Sequence, residues 1–362
     1  MKKAITLLLA VLMVVGVLAG CGQAPAEESG GESPSTSEQS SEQPSSEEPS
    51  TEGLKVGVVI KIAGNPFYTA TDIGFAEAGE ELGVEFITNG PSEATVEEQI
   101  EIIEGFINQK VDAIAIATND LNAVVPALQK AQNAGIKVIS WDSAVSPEGR
   151  SVHVNQASAT DIGASEIQGI AETIGYEGQI AIVSAGATMV NQNAWIDAMK
   201  VELEKPEYEN MELVDIVYGD DETQKSYNEA IGLLKTYPDL KALISPTTVG
   251  CAAVSKAVED QGLTGKVYVT GVGLPSLQAE YIESGINDTV YIWNPIDLGY
   301  LSAYTTYALL QGDITGAVGE TFSAGRLGEF EITDDGAGGT EVILGPPLEL
   351  SKDNIDEYKD IF

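Results

Sequence analysis

The amino-acid sequence predicts an α/β protein built from two similar doubly wound parallel-sheet lobes. Three observations lead there. Short runs rich in Val and Ile alternate with longer amphipathic stretches from Leu54 onward, the pattern of β-α-β units. The alternation reaches a short strand near Val152 and starts again at Ala159. From Leu54 to the last residue there are about 310 residues, enough for two domains of ordinary size.

The elements follow in order. Leu54 to Ile60 reads as a buried strand, Asn65 to Leu82 as a helix and Val84 to Thr88 as a strand. Val96, Ile100, Ile103 and Ile107 step by four, three and four, which puts them on one helix face. Asp112 to Ala117 is a strand, Ala123 to Asn133 a helix and Lys137 to Trp141 a strand. In the second series, helices are expected at Ala159 to Ile174, Asn193 to Glu204, Gln224 to Lys235 and Ala252 to Gln261. Strands are expected at Gln179 to Ser184, Leu213 to Tyr218, Ala242 to Ser245 and Lys266 to Gly271. A helix from Pro295 to Leu310 precedes turn-rich strands, with Asp334 to Gly339 as a hairpin tip.

The segment ahead of Leu54 has a different character. Lys2 and Lys3 precede an almost wholly apolar run, Ala4 to Ala19, too short and too early for an ordinary membrane span and shaped like a secretory signal. It ends Leu18-Ala19-Gly20-Cys21, small residues before a cysteine, as at a lipoprotein processing site. Residues 1–20 are expected to be removed, leaving lipid on Cys21 and the protein outside the cytoplasmic membrane. Gly22 to Gly53 is mostly Ser, Glu, Pro, Gln and Gly, with eight glutamates and no Lys or Arg, and reads as a disordered tether. Its root-mean-square reach is roughly 30 Å.

Composition narrows the function. A formal net charge of -38 disfavours nucleic acid and other polyanions as partners. Of two cysteines, Cys21 is assigned to lipid, so Cys251 has no disulfide partner and reads as a packing residue in an apolar helix. The single histidine, His153, cannot build a His-rich metal site, and no His-Glu-x-x-His or Gly-Lys-Ser/Thr phosphate loop is present. Gly271-Val-Gly273 is half of a dinucleotide fingerprint. No paired carboxylates carry a further signal of glycoside hydrolysis. The reading is a binding protein, with no enzyme activity, cofactor or metal.

In open α/β sheets ligands bind beyond the carboxyl ends of the strands. The segments there are rich in Asn, Asp, Gln, Thr and aromatic residues. Amides and carboxylates pair with hydroxyls, and aromatic faces cover C–H surfaces, which suits a polyol.

Seven motifs in those segments carry a resemblance. They are Gly64-Asn-Pro-Phe-Tyr68, Trp141-Asp-Ser143 with Pro147-Glu-Gly-Arg150, Asn191-Gln-Asn-Ala-Trp195, Tyr218-Gly-Asp-Asp221, Tyr237-Pro-Asp-Leu240, Ser245-Pro-Thr247 and Trp293-Asn-Pro-Ile-Asp297. In this order the chain resembles, from Leu54 to Phe362, the sugar-binding type I periplasmic binding proteins of ABC importers. Within that group it is most similar to rhamnose-binding and autoinducer-2-binding receptors. The resemblance implies a three-stranded hinge crossing near Asn155, Trp293 and Phe322. The lobes would be 54–155 plus 294–321 and 156–293 plus 322–362.

It also implies site residues. Asp142 accepts ligand hydroxyls and Lys61 balances it. Asn191 and Gln192 serve from the second lobe, with Asn191 also able to cap its helix. Pro246 and Thr248 flank them, and Asn65 and Asn294 are further candidates. Phe67 and Tyr68 are candidates to stack on the ring, one of them being packed instead. Trp195 and Trp293 read as core or hinge. Autoinducer-2 receptors carry aspartate at the place of Asn191 and alanine at that of Thr248, so this chain stands nearer the rhamnose type. Gly271-Val-Gly-Leu-Pro275 lacks an acid that many sugar-binding relatives have there. The implied partners are one small neutral sugar, or else the furanosyl signal, and a membrane permease, with the protein acting as a monomer.

Overall fold

The structure is a computed structural model and describes residues 53–362. The expected signal segment, Cys21 and nearly all of the acidic tether lie outside the described residues. The first series runs β1 (Lys55–Val59), α1 (Pro66–Leu82), β2 (Glu85–Asn89), α2 (Val96–Gln109), β3 (Ala113–Ile116), α3 (Val125–Asn133), β4 (Lys137–Trp141) and β5 (His153–Asn155). The second runs α4 (Ala159–Ile174), β6 (Glu177–Ser184), α5 (Val190–Leu203), β7 (Asn210–Tyr218), α6 (Thr223–Thr236), β8 (Leu240–Ser245), α7 (Thr248–Asp260), β9 (Tyr268–Gly271), α8 (Pro275–Ser284) and β10 (Val290–Ile292). The chain closes with α9 (Pro295–Gln311), β11 (Thr321–Ser323), β12 (Glu329–Glu331), β13 (Thr333–Asp334), β14 (Thr340–Ile343), β15 (Leu348–Leu350) and α10 (Ile355–Tyr358).

Two main sheets result. One has the order β13-β14-β5-β4-β3-β1-β2 and is parallel except for β13; the other, β7-β6-β8-β9, is all parallel. The central strands read as unbroken apolar runs because helices cover both faces. All four residues of β3, Ala-Ile-Ala-Ile, are buried. The predicted face of α2 packs as its spacing requires: Ile103 is fully buried, with Val96, Ile100 and Ile107 partly buried around it.

The first two crossings between lobes follow β5 and β10. The third differs from the expectation. β14 pairs in parallel with β5, Glu341 opposite His153 and Ile343 opposite Asn155, so the hairpin expected in the second lobe extends the first sheet. A buried ion pair between Arg150 and Asp335 ties the hairpin down. The chain crosses only between Ile343 and Leu348, after which β15 pairs with β10. Helix α8 and strand β10 are also additions, since ten and three residues leave little periodicity to read.

Helices α1 and α9 meet at two glycines. A Cβ at Gly74 would collide with the Ile296 carbonyl, and one at Gly299 with the Thr71 carbonyl. This close approach locks the start of α1, which borders the gap between lobes, onto the hinge segment that leads into α9.

Candidate functional site

The carboxyl ends of both sheets face one interlobe cleft. It is lined by Lys61, Asn65, Phe67, Tyr68 and Asp142 from the first lobe and by Asn191, Gln192, Trp195, Asp221, Pro246, Thr247, Thr248 and Val272 from the second, with Trp293 at the second crossing. Each polar residue arrives there because a strand has just ended and its successor turns away.

Asp142 organises the first wall. It sits directly after β4 with φ 56°, in the left-handed region that only a few non-glycine residues adopt. Its side chain is 4% exposed and 3.2 Å from Lys61 Nζ, which is equally buried. Tyr68 Oη donates to Asp142 Oδ2 at 2.9 Å. Burial, and then the negative charge of Asp142, push the Tyr68 phenol well above its ordinary range, so it stays a donor.

The second wall meets this network with amides. Asn191 Nδ2 donates to Asp142 Oδ1 at 3.1 Å, while Lys61 Nζ donates to Asn191 Oδ1 at 3.0 Å. Gln192 Oε1 accepts from Ala185 N at 3.2 Å and Ser184 Oγ at 3.3 Å, which fixes the amide against the end of β6. Asp221 adds a carboxylate opposite Asn65, whose Nδ2 donates to it at 3.4 Å. Thr247 Oγ1 donates to the other Asp221 oxygen. Burial raises the Asp221 carboxyl above its usual range and the Thr247 bond draws it back. Asp220 and Asp221 both have left-handed backbones, φ 52° and 57°.

An aromatic wall closes one side. Trp293 stands edge-on to Phe67 at 5.9 Å and to Trp195 at 5.6 Å between ring centroids. Its indole N–H is buried and has no acceptor within the described residues. The cleft encloses about 40 Å³, room for two or three waters. Among the described residues, no three His, Cys, Asp or Glu side chains are grouped to hold a metal ion.

Residues 56–314 match the family model described as the periplasmic binding protein domain. The chain belongs to that family. This periplasmic binding protein is 40% identical to an ABC transporter solute-binding protein from Clostridium phytofermentas solved with L-rhamnose bound; the match covers 85% of this chain and 99% of that one, with a TM-score of 0.84. It is 27% identical over 252 residues to the D-allose-binding periplasmic protein of Escherichia coli strain K12, covering 67% of this chain and 80% of the relative. LsrB from Clostridium saccharobutylicum, solved in complex with AI-2, shares the fold at 23% identity and a TM-score of 0.79, over 84% of this chain and 99% of that one. The family consists of solute-binding transport components that work outside the cytoplasm, and the protein is not an enzyme.

Of the residues singled out from the sequence of this binding protein, nine line the cleft together: Lys61, Asn65, Phe67, Tyr68, Asp142, Asn191, Gln192, Pro246 and Thr248. Phe67 and Tyr68 both line it and both also pack in the core. Asn294 does not line it. Its Oδ1 accepts from Ile296 N at 3.0 Å and Asp297 N at 3.3 Å, capping α9. The sequence reading missed Asp221, Thr247 and Val272 and assigned Trp195 and Trp293 to core or hinge. Asp221 ends the Tyr218-Gly-Asp-Asp221 motif, and its position after β7 was the available signal.

Proposed function

We propose that this protein captures a neutral monosaccharide of the rhamnose type and delivers it to an ABC permease. The observation that carries the reading is the Lys61–Asp142 pair, faced across the cleft by the Asn191 and Gln192 amides and bordered by Trp293, Trp195 and Phe67. A carboxylate and a lysine fixed against each other offer strong charge-assisted hydrogen bonds to hydroxyls without demanding a charged ligand. The amides both donate and accept, and the aromatic wall covers a C–H face. The L-rhamnose bound by the 40% identical relative supports the same sugar class. Closure takes place about the three crossings and traps the sugar.

The protein works as a monomer at the outer face of the membrane, held by lipid on Cys21 and extended on the acidic tether. Cys21→Ala is expected to shift it from the membrane fraction to the medium; unchanged partition would remove the anchor from the reading.

Calorimetry against L-rhamnose, D-allose, D-arabinose and autoinducer-2 tests the ligand. One sugar per chain, unaffected by exhaustive chelation, with L-rhamnose tightest, is expected. Tighter binding of autoinducer-2 would make the protein a receptor for a quorum signal instead.

A further inference from the structure

The strand ends around the cleft do not contribute alike. After β1 comes Lys61, after β4 Asp142, after β6 Asn191 and Gln192 at the start of α5, after β7 Asp221, and after β8 Thr247 and Thr248. The next two strands break the series, because β9 is followed by Val272 and β10 by Trp293. Val272 is 2% exposed and lines the cleft. Its backbone N–H donates to Ser245 O at 3.0 Å, and its side chain has neither donor nor acceptor to offer. Val272, Phe67 and Trp195 are apolar members of the lining, and Trp293 adds its ring with an indole N–H that has no acceptor among the described residues.

A fully hydroxylated hexose fits such a pocket poorly. A hydroxyl packed against the Val272 side chain loses its water and finds no partner in that side chain. A sugar lacking one hydroxyl, and carrying a methyl there instead, places apolar surface against Val272 and keeps its remaining hydroxyls for the polar members of the lining.

We propose that Val272 selects a deoxy carbon: it seats the C6 methyl of a 6-deoxyhexose and rejects the same sugar with a hydroxyl on that carbon. The inference rests on the rhamnose-type reading above and names the residue that enforces it. Discrimination of this kind, a hydroxyl against an apolar wall, amounts to about tenfold to a hundredfold.

L-Rhamnose and L-mannose differ only at C6, as hydrogen against hydroxyl, and their Kd ratio is the measurement. The parent protein is expected to favour L-rhamnose at least tenfold. Val272→Thr, with nearly the same volume and a hydroxyl, is expected to reduce that preference at least fivefold, and Val272→Ser to reduce it in the same sense should the first variant fold poorly. Val272→Ala supplies no hydrogen bond and is expected to retain the preference while binding both sugars more weakly. If the parent binds L-rhamnose but the ratio in Val272→Thr and Val272→Ser stays within twofold of the parent, Val272 is not the selector and the rhamnose reading stands without it. If the parent instead favours L-mannose or binds neither sugar, both fall together.

Discussion

The two walls of the cleft hold their polar groups in different ways. In the first lobe, Lys61, Asp142 and Tyr68 satisfy one another within a single lobe, so the charges keep their partners whether the cleft is open or closed. In the second lobe the corresponding groups are mostly neutral, Asn191, Gln192, Thr247 and Thr248, with Asp221 held by Thr247. Bonds across the gap, from Asn191 and from Asn65, involve amides whose loss to water costs little. The division lets the lobes separate without stranding a buried charge. Under the proposed function, the first wall is a fixed platform and the second the place where one sugar is told from another.

Removing the centre of the platform has the largest expected effect. Asp142→Ala takes away a charge-assisted acceptor and leaves Lys61 buried without its partner, at about 2–5 kcal/mol in binding. Calorimetry with L-rhamnose measures it, and affinity within threefold of the parent would take Asp142 out of the contact set.

The contrast continues behind the walls, where His153 in one lobe and Glu166 in the other are buried with opposite dependence on pH. In the first lobe His153 pairs with Ser140 Oγ at 2.9 Å, and burial, then the charge of Arg150, lower its pKa to about 3. The unfolded chain takes up that proton near pH 6.5 and the folded one does not, so stability present above pH 6.5 is lost as pH falls toward 3. Between pH 6.5 and 5 the parent is expected to lose about 2 kcal/mol more than His153→Gln, read from urea midpoints at each pH. Parallel curves would mean that His153 is charged in the folded protein.

In the second lobe Glu166 is fully buried in α4 with neither carboxyl oxygen paired among the described residues, and burial raises its pKa well above the usual range. Here the folded state holds the proton longer, so stability is full below the ordinary carboxylate range and falls as pH rises above it. Glu166→Gln is expected to melt higher than the parent at pH 7, by about 1–3 kcal/mol in stability, with the gap closing toward pH 4. A gap independent of pH would contradict the assignment.

The smallest effect sharpens the comparison at the second wall. Asn191→Asp exchanges an amide that donates to Asp142 for a second carboxylate beside it. It is expected to weaken L-rhamnose and to move the preference toward autoinducer-2 by about tenfold, from the ratio of the two dissociation constants. An unmoved ratio would mean that Asn191 does not choose the ligand.

Much of this was legible in the sequence because position after a strand is itself information. Lys61, Asp142, Asn191 and Gln192 could be placed at the cleft once their strands were found, and the structure brings them there. What stayed hidden depended on how one group is used locally. An asparagine before proline looks the same whether it caps a helix or reaches a pocket; Asn65 does both, and Asn294 only caps. Trp195 and Trp293 are buried like core residues, at 3% and 4% exposure, yet border the cleft, and burial alone does not separate those roles. The third crossing was misplaced because β14 is four residues long and its pairing with β5 is a contact across the chain that no local pattern records.

The left-handed backbones at Asp142, Asp220 and Asp221 have a consequence for laboratory evolution. Glycine adopts that conformation freely, and an aspartate there costs about 1 kcal/mol relative to it. A library sorted only for tolerance to heat will therefore be drawn toward glycine at 220 and 221, whereas at 142 the loss of the buried Lys61 pair outweighs the gain. At 221 it would discard a carboxylate that lines the cleft. Hardening this scaffold for use as a sensor thus calls for a binding screen alongside each thermal one, or for holding that position fixed.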